Sequence, residues 1–290
     1  TSVTLLGRTR PHPVLVAPMA YQRGAHADAE LGTARAAADA DAVFVLSSQT
    51  TTDPAEVAAV MGGADRWLQL YVFKDRGISD DLVRAARDGG YEALVITVDF
   101  PYGGWRERDQ RSGYAVEHPT YVNLASGPMT PAERHAMHDP NLTWDDIASF
   151  GEASGLPIIL KGILRPDDAT RAVEAGVAGI VVSNHGGRQL DTVLSGADAL
   201  GPIVDAVAGR VDVLVDGGIR RGWDVAKALT LGADAILVGR PVLWGLACEG
   251  QDGARQVIDQ LVSELESSLG LLGCPRAADL DRSYVTARPF

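Results

Sequence analysis

The sequence predicts a (β/α)₈ barrel, because eight short apolar runs alternate with helical stretches. The runs are rich in β-branched residues and almost continuously apolar, which is typical of parallel strands covered on both faces. They begin at intervals of 29, 24, 27, 63, 23, 33 and 23 residues, and a regular series of eight βα units favours a barrel. A doubly wound sheet usually has fewer strands and needs a topological switch, so it is disfavoured. The eight runs cover residues 13–19, 42–48, 66–72, 93–99, 156–162, 179–185, 212–218 and 235–241.

The intervals between the runs contain stretches rich in Ala, Leu, Asp and Arg, and we predict helices at 28–40, 80–89, 166–175 and 223–231. The 63-residue interval contains a long insertion after strand 4, at about residues 101–141. An insertion on a βα loop of a barrel is where a lid is expected.

The insertion contains three histidines whose spacing is unlike that of metal ligands. We therefore interpret His118, His135 and His138 as solvated loop residues and predict no metal site.

Composition predicts a soluble, cytoplasmic protein, and a barrel of this length would form a single domain over residues 1–290. The 26 basic and 38 acidic residues give a net charge of −12, which argues against nucleic acid or an anionic membrane as a partner. Cys248 and Cys274 share no metal-binding or redox spacing, and we expect reduced thiols. No run approaches 18 apolar residues. Because the chain begins at Thr1 rather than Met, we expect that a further segment precedes it.

The most informative motif is the string SNHGGRQLD at residues 183–191, which follows an apolar strand. His185 and Arg188 are separated by two glycines. A base close to a fixed cation suits the removal of a proton from a substrate that carries a carboxylate. A lone histidine is more often structural, but a long polar string at a strand end favours function.

Polar side chains recur where most of the other strands end, and barrel active sites form at the carboxyl ends of the strands. These ends therefore predict a polar site on that face of the barrel. The residues concerned are Met19, Ala20, Ser47, Ser48, Gln69, Tyr71, Thr97, Asp99, Lys161, Ser183, His185, Asp216, Gly239 and Arg240.

The last two strand ends combine glycine with arginine, in DGGIR (216–220) and GRP (239–241). Barrels often bind phosphate at this position, on a substrate or on a cofactor. Lys161 lies inside an apolar strand and is either a Schiff-base nucleophile or a fixed cation beside a ligand.

The chain resembles the FMN-dependent α-hydroxy acid oxidases and dehydrogenases, a family that includes glycolate oxidase, lactate oxidase and mandelate dehydrogenases. The resemblance covers residues 1 to about 275. The AYQR run (20–23) resembles, more weakly, bacterial enzymes that act on hydroxymandelate-like acids. The motifs that carry the family resemblance are APMA (17–20), LSSQTT (46–51), WLQLYVFKDR (67–76), ITVDFP (96–101), LKG (160–162), SNHGGRQLD (183–191), DGGIRRG (216–222) and GRP (239–241).

The resemblance implies oxidation of an (S)-2-hydroxy acid to the 2-keto acid, with FMN reoxidised by O₂ to give H₂O₂ or by another acceptor. It implies a homotetramer. It makes His185 the base, Asp99 its partner, Tyr71 the contact of the substrate hydroxyl, and Arg188 and Arg106 the carboxylate ligands. The implied FMN ligands are Pro18, Met19, Ala20, Ser47, Gln69, Thr97, Lys161, Ser183, Asp216, Gly217, Gly218, Arg220, Gly239 and Arg240.

Three features depart from the family pattern. Family members have an N-terminal helical segment with a tyrosine that touches the substrate carboxylate, and the given sequence starts after it. If the protein lacks that segment, one carboxylate contact is lost and weaker substrate binding is expected. Trp105 stands where many members have arginine, and Gln49 stands where an aromatic residue is frequent. We expect Gln49 to open the pocket to a medium or large substrate side chain, aromatic or branched, with Phe100 and Trp105 as an aromatic wall.

Two other functions remain open at this point. A flavin-free barrel isomerase or aldolase would act on a phosphorylated substrate with Lys161 as its nucleophile. A chain that binds flavin but is inactive would follow from the loss of the N-terminal segment.

Overall fold

A computed structural model of the protein describes residues 1–113, 122–123 and 131–286. It contains a closed barrel of eight parallel strands in the order β10-β3-β4-β5-β6-β7-β8-β9, which confirms the predicted fold class. Each observed strand lies within a predicted run or extends one residue past it. The barrel strands are β3 (Val14–Val16), β4 (Phe44–Ser47), β5 (Arg66–Leu70), β6 (Leu94–Thr97), β7 (Ile158–Ile163), β8 (Gly179–Val182), β9 (Asp212–Asp216) and β10 (Ala235–Val238).

Helices follow the strands and cover the outside of the barrel. Three of the four predicted helices differ from the observed ones by only one residue at each end. The fourth, α3, begins four residues earlier than predicted, because the side chain of Asp75 accepts the N–H of Gly77 at 3.0 Å and caps the helix. The helices are α1 (Ala29–Asp39), α2 (Pro54–Met61), α3 (Arg76–Asp88), α4 (Glu107–Ser112), α5 (Pro131–Ala136), α6 (Trp144–Ser154), α7 (Pro166–Glu174), α8 (Gly196–Val207), α9 (Gly222–Thr230) and α10 (Arg240–Leu272).

Side chains alternate between the two faces of each barrel strand. Odd and even positions of β5 illustrate the rule: Leu68 and Leu70 pack outwards under the helices, while Trp67 belongs to a separate cluster inside the barrel. The inner cluster consists of Leu5, Leu15, Ala17, Val43, Val45, Trp67, Ala93, Val95, Ile159, Val181, Leu214, Ala235 and Leu237. On most strands, the residue two positions after the last member of the inner cluster also faces inwards, and this residue is polar.

A short antiparallel hairpin, not predicted from sequence, closes the amino-terminal end of the barrel. It consists of β1 (Val3–Leu5) and β2 (Arg8–Arg10). Leu5 is fully buried in the inner cluster, and the N–H of Leu6 donates to Asp212 Oδ2 at 2.6 Å. Arg10 is buried between Asp65 and Glu92, and Arg8 contacts the same two carboxylates. The hairpin is therefore attached by both apolar and ionic contacts.

The long connection between β6 and β7 contains α4, α5 and α6. Residues 114–121 and 124–130 of the predicted insertion, which include His118, lie outside the described residues. An antiparallel bridge between Phe73 and His138 joins the end of the insertion to the segment after β5. None of the helices in the described ranges is long and apolar enough to cross a membrane.

We predict that Leu5→Ala lowers the free energy of unfolding by about 2–5 kcal/mol, because it opens a cavity in the inner cluster. The matched control is Leu271→Ala on α10, where the side chain is 90% exposed and truncation changes stability by about 0.5 kcal/mol or less. Chemical denaturation followed by circular dichroism compares the two variants. Equal, small effects would show that Leu5 does not hold the hairpin on the barrel.

Candidate active site

A cavity of about 880 Å³ opens at the carboxyl ends of the barrel strands. Its volume falls within the roughly 300–1,000 Å³ that is usual for ligand pockets. Four of the predicted site residues, Ser48, Gln69, Asp99 and Ser183, lie behind its wall, where each is hydrogen bonded to a lining residue. The other sequence-predicted site residues line it directly: Pro18, Met19, Ala20, Ser47, Tyr71, Thr97, Arg106, Lys161, His185, Arg188, Asp216, Gly217, Gly218, Arg220, Gly239 and Arg240.

The floor of the cavity on the β4–β6 side is a chain of hydrogen bonds across three strands. The hydroxyl of Ser47 donates to Gln69 Oε1 at 3.1 Å, and Gln69 Nε2 donates to Thr97 Oγ1 at 3.0 Å. All three side chains are buried. Paired buried groups of this kind keep fixed orientations, so the floor presents defined donors and acceptors to a ligand.

Lys161 is the buried cation of the site. Its Nζ donates to Ser183 Oγ at 2.8 Å and lies 2.9 Å from Asp216 Oδ2. Burial opposes the charge, but the carboxylates of Asp216 and Asp99 and the hydrogen bond to Asp216 outweigh it, so the pKa of Lys161 is raised. A Schiff-base nucleophile needs a neutral amine, and this environment therefore favours the fixed-cation interpretation.

The His185 ring is held between two polar groups. Its Nδ1 lies 2.9 Å from Asp99 Oδ1, and its Nε2 lies 3.4 Å from the hydroxyl of Tyr71. A carboxylate only accepts hydrogen bonds, so Nδ1 carries the proton and the lone pair of Nε2 is available on the cavity side. Close packing of Asp99 requires glycine at position 162, where a Cβ atom would lie 2.6 Å from that of Asp99. This geometry is that of a general base with an orienting carboxylate.

Gln189 makes a contact between two loops that was not predicted from sequence, and these loops carry Arg106 and Arg188, which line the cavity. Gln189 Nε2 donates to the carbonyl oxygens of Asp99 and Tyr102, at 2.9 Å each. The start of the insertion, which carries Arg106, is thereby tied to the segment that carries Arg188. The signal for Gln189 lay within the SNHGGRQLD string, where no role was assigned to it.

The part of the cavity that is formed by the segments after β9 and β10 has the features of an anion site. Arg220 and Arg240 line it, and α10 begins at Arg240, so the helix dipole and free backbone N–H groups face this part. The guanidinium of Arg220 lies over the Trp244 ring at 4.7 Å, which fixes its orientation. Gly218, at a positive φ of 79°, has no atom within 4 Å of the position that a Cβ would occupy.

These residues fit FMN. Asp216 Oδ1 is buried and has no hydrogen-bond partner in the described part of the chain, as expected of an acceptor that awaits a ligand hydroxyl. The arginines and the helix start suit a phosphate, and the ammonium of Lys161 suits an electron-accepting ring that gains negative charge.

The histidines of the insertion correct one sequence interpretation. His138 is only 3% exposed and packs on Phe73, Phe100 and Tyr71, and His135 is half-buried and lines the cavity. Neither is therefore a solvated loop residue. Of the two residues expected to form an aromatic wall, Phe100 is buried against Tyr71 with ring centroids 4.8 Å apart, whereas Trp105 is 78% exposed at the cavity rim.

Comparison with known proteins agrees with the resemblance seen in the motifs. The family model described as FMN-dependent dehydrogenase matches residues 1–287. An L-lactate oxidase from Nostoc is 47% identical, with 98% of this chain and 82% of the relative covered. A 4-hydroxymandelate oxidase from Amycolatopsis orientalis is 46% identical over 94% of this chain and 79% of the relative. A crystal structure of mandelate oxidase with (S)-4-hydroxymandelic acid superimposes with a TM-score of 0.89 at 46% identity, covering 94% of this chain and 79% of that one.

We predict that Lys161 is not trapped by borohydride in the presence of 2-keto acids or aldehydes, because its raised pKa keeps the amine protonated at neutral pH. Peptide mass spectrometry after reduction should find no adduct on this residue. A stoichiometric adduct on Lys161 would restore the aldolase alternative. Exposed Lys227 serves as the reference for nonspecific labelling.

Proposed function

This chain belongs to the FMN-dependent dehydrogenase family, and we propose that it oxidises an (S)-2-hydroxy acid to the corresponding 2-keto acid. The observation that carries the proposal is the His185 base, which is bound to Asp99 and faces Tyr71 in a cavity that also contains Arg188. A base can accept a proton from a carbinol group, and an arginine can bind a carboxylate through two N–H donors. Both groups within one cavity therefore suit a 2-hydroxy acid.

In the proposed reaction the substrate loses two protons and an electron pair. His185 Nε2 accepts a proton from the substrate carbinol group, and Asp99 stabilises the imidazolium that results. The Tyr71 hydroxyl, already 3.4 Å from Nε2, contacts the substrate oxygen. When bound, FMN would supply the acceptor for the electron pair and for the second proton.

Arg188 and Arg106 hold the substrate carboxylate. A guanidinium presents two parallel N–H donors to a carboxylate, which fixes both the position and the direction of the substrate. Since Gln189 ties the two arginine-bearing segments together, the carboxylate site and the base keep a constant separation. This constant separation contributes the orientation on which proton transfer depends.

The FMN-binding role falls to the rest of the cavity. Residues 18–20, Ser47, Gln69, Thr97 and Ser183 would hold the isoalloxazine ring, and Lys161 would stabilise the negative charge of the reduced ring. Asp216 and Gly217 would bind the ribityl hydroxyls. Gly218, Arg220, Gly239 and Arg240 would bind the phosphate.

We further propose oxygen as the final acceptor, with H₂O₂ as product, because the similar proteins include enzymes named as oxidases. A medium or large substrate side chain is favoured, because Gln49 lines the cavity beside Tyr71 and Phe100. The cytoplasmic location and the tetramer stay predictions.

The flavin-free aldolase is disfavoured by the protonated, doubly bound Lys161. The inactive flavin-binding chain makes a different prediction, namely bound FMN that no hydroxy acid reduces.

The test is anaerobic reduction of the bound flavin, after mass spectrometry has identified the released cofactor as FMN. Glycolate, lactate, 2-hydroxyoctanoate and both mandelate enantiomers are each mixed with the protein, and loss of the yellow absorbance is followed. We expect reduction by (S)-acids, faster for the larger ones. Reduction by none of them would contradict the proposed function.

The same experiment tests the base. His185→Asn should retain FMN but reduce it about 10²–10⁴-fold more slowly, because the general base is lost. His26→Asn, which alters a half-buried histidine near the start of α1, is the matched control and should behave as the unmodified protein. A change of less than about tenfold in His185→Asn would rule out this histidine as the base.

A further inference from the structure

Gln49 and His138 form a buried polar pair behind Tyr71, and no step proposed above uses it. Gln49 Nε2 lies 3.2 Å from His138 Nε2. The two residues come from different βα units: Gln49 follows β4, and His138 ends the insertion between β6 and β7. Both are more than nine-tenths buried, at 8% and 3% exposure, and Gln49 also lines the cavity.

Hydrogen-bond chemistry fixes the direction of this pair. His138 Nδ1 lies 3.3 Å from the carbonyl oxygen of His135, which only accepts, so Nδ1 carries the proton. The Nε2 atom of a neutral imidazole is then an acceptor, and the Gln49 amide donates to it. This leaves Gln49 Oε1 as an acceptor without a hydrogen-bond partner among the described residues, in a residue that lines the cavity.

Aromatic rings that line the cavity connect the Gln49–His138 pair to the base. His138 lies edge-on to Tyr71 and Phe100, with ring centroids 5.1 and 5.0 Å apart. Phe100 in turn lies 5.7 Å from the ring of His185, with the two planes 30° apart. Aromatic walls of this kind favour a flat, apolar body in the ligand.

We propose that Gln49, oriented by His138, accepts a hydrogen bond from a hydroxyl group on the substrate side chain. The preferred substrates are then aromatic 2-hydroxy acids with a hydroxyl on the ring. This inference rests on the proposed function, since it assumes that a 2-hydroxy acid occupies the cavity.

The chemistry of the acceptor favours a hydroxyl over a charged group. Gln49 is neutral, and its amide pairs with a histidine rather than with a carboxylate. An apolar side chain would displace water from Oε1 without replacing its hydrogen bond. Sites built to bind a substrate hydroxyl reject analogues that lack it much more strongly than apolar pockets reject an added hydroxyl.

The test compares (S)-mandelate with its 3-hydroxy and 4-hydroxy derivatives in anaerobic reduction of the FMN-bound full chain. At least one hydroxylated acid should be about tenfold or more ahead of mandelate in the apparent second-order rate constant of reduction. In Gln49→Leu, which keeps the size of the side chain but removes the acceptor, this ratio should fall to about one to three. Gln260→Leu, an exposed glutamine on α10, is the matched control and should keep the ratio.

His138→Phe is the second variant, because it keeps an aromatic ring among Tyr71, Phe73 and Phe100 and removes the acceptor that orients the amide. The ratio should fall by at least about threefold, with FMN still bound. Absence of any preference in the unmodified protein, or a preference that survives Gln49→Leu, would overturn the proposal. An unchanged ratio in His138→Phe would overturn the orienting role. Failure of all three mandelates, with reduction by glycolate, lactate or 2-hydroxyoctanoate, would also overturn the proposal. Failure of every acid in both sets would instead contradict the proposed function itself.

Discussion

The alternation of side chains along the closed parallel strands is the constraint on which the whole site depends. In each strand the inward positions are two residues apart. The inward series is Val45 and Ser47 in β4, preceded by Val43, and Val95 and Thr97 in β6, preceded by Ala93. Apolar residues fill the lower layers of the barrel, and the last inward position is polar. A slip of one residue in a single strand would move its polar group under the helices and its outer apolar residues into the cavity floor.

The strand register then decides which polar groups meet. Ser47 pairs in register with Gln69, and Thr97 with Lys161, so neighbouring ends contribute side chains at the same height. Lys161 is the costliest member of this layer, because a buried ion that loses its partner destabilises a protein by about 3–5 kcal/mol. It is retained between Ser183 and Asp216, where the charge faces the cavity. A well-packed apolar residue at position 161 would stabilise the barrel equally well. Stability therefore does not explain the lysine, and ligand binding explains it best.

The eight strands and the polar strand ends were predictable because each depends on a local pattern. A near-continuous apolar run that ends in a polar residue can be recognised without knowledge of its neighbours. The hairpin of β1 and β2 was missed because its strands have three residues each and alternate poorly, and its stability comes from Leu5 inside the barrel and from Arg10 between Asp65 and Glu92.

The environment of His138 was also beyond the reach of local patterns. Its burial depends on Phe73, which belongs to another βα unit, and on Phe100, which lies 38 positions earlier in the same long connection. The same is true of Gln49, which from sequence indicated only a wider pocket and in the structure is one half of a directed hydrogen bond. Long-range contacts of this kind decide selectivity, whereas the chemistry of the base could be predicted from the motif around His185.

The measurement that tests this account most directly is a crystal structure of the FMN-bound protein with a 2-keto acid product. The account predicts the phosphate at Arg220 and Arg240, a ribityl hydroxyl on Asp216 Oδ1, and the product carboxylate on Arg188 with its keto oxygen near His185 and Tyr71. A flavin phosphate bound at any other part of the chain, or a product carboxylate away from Arg188, would contradict it.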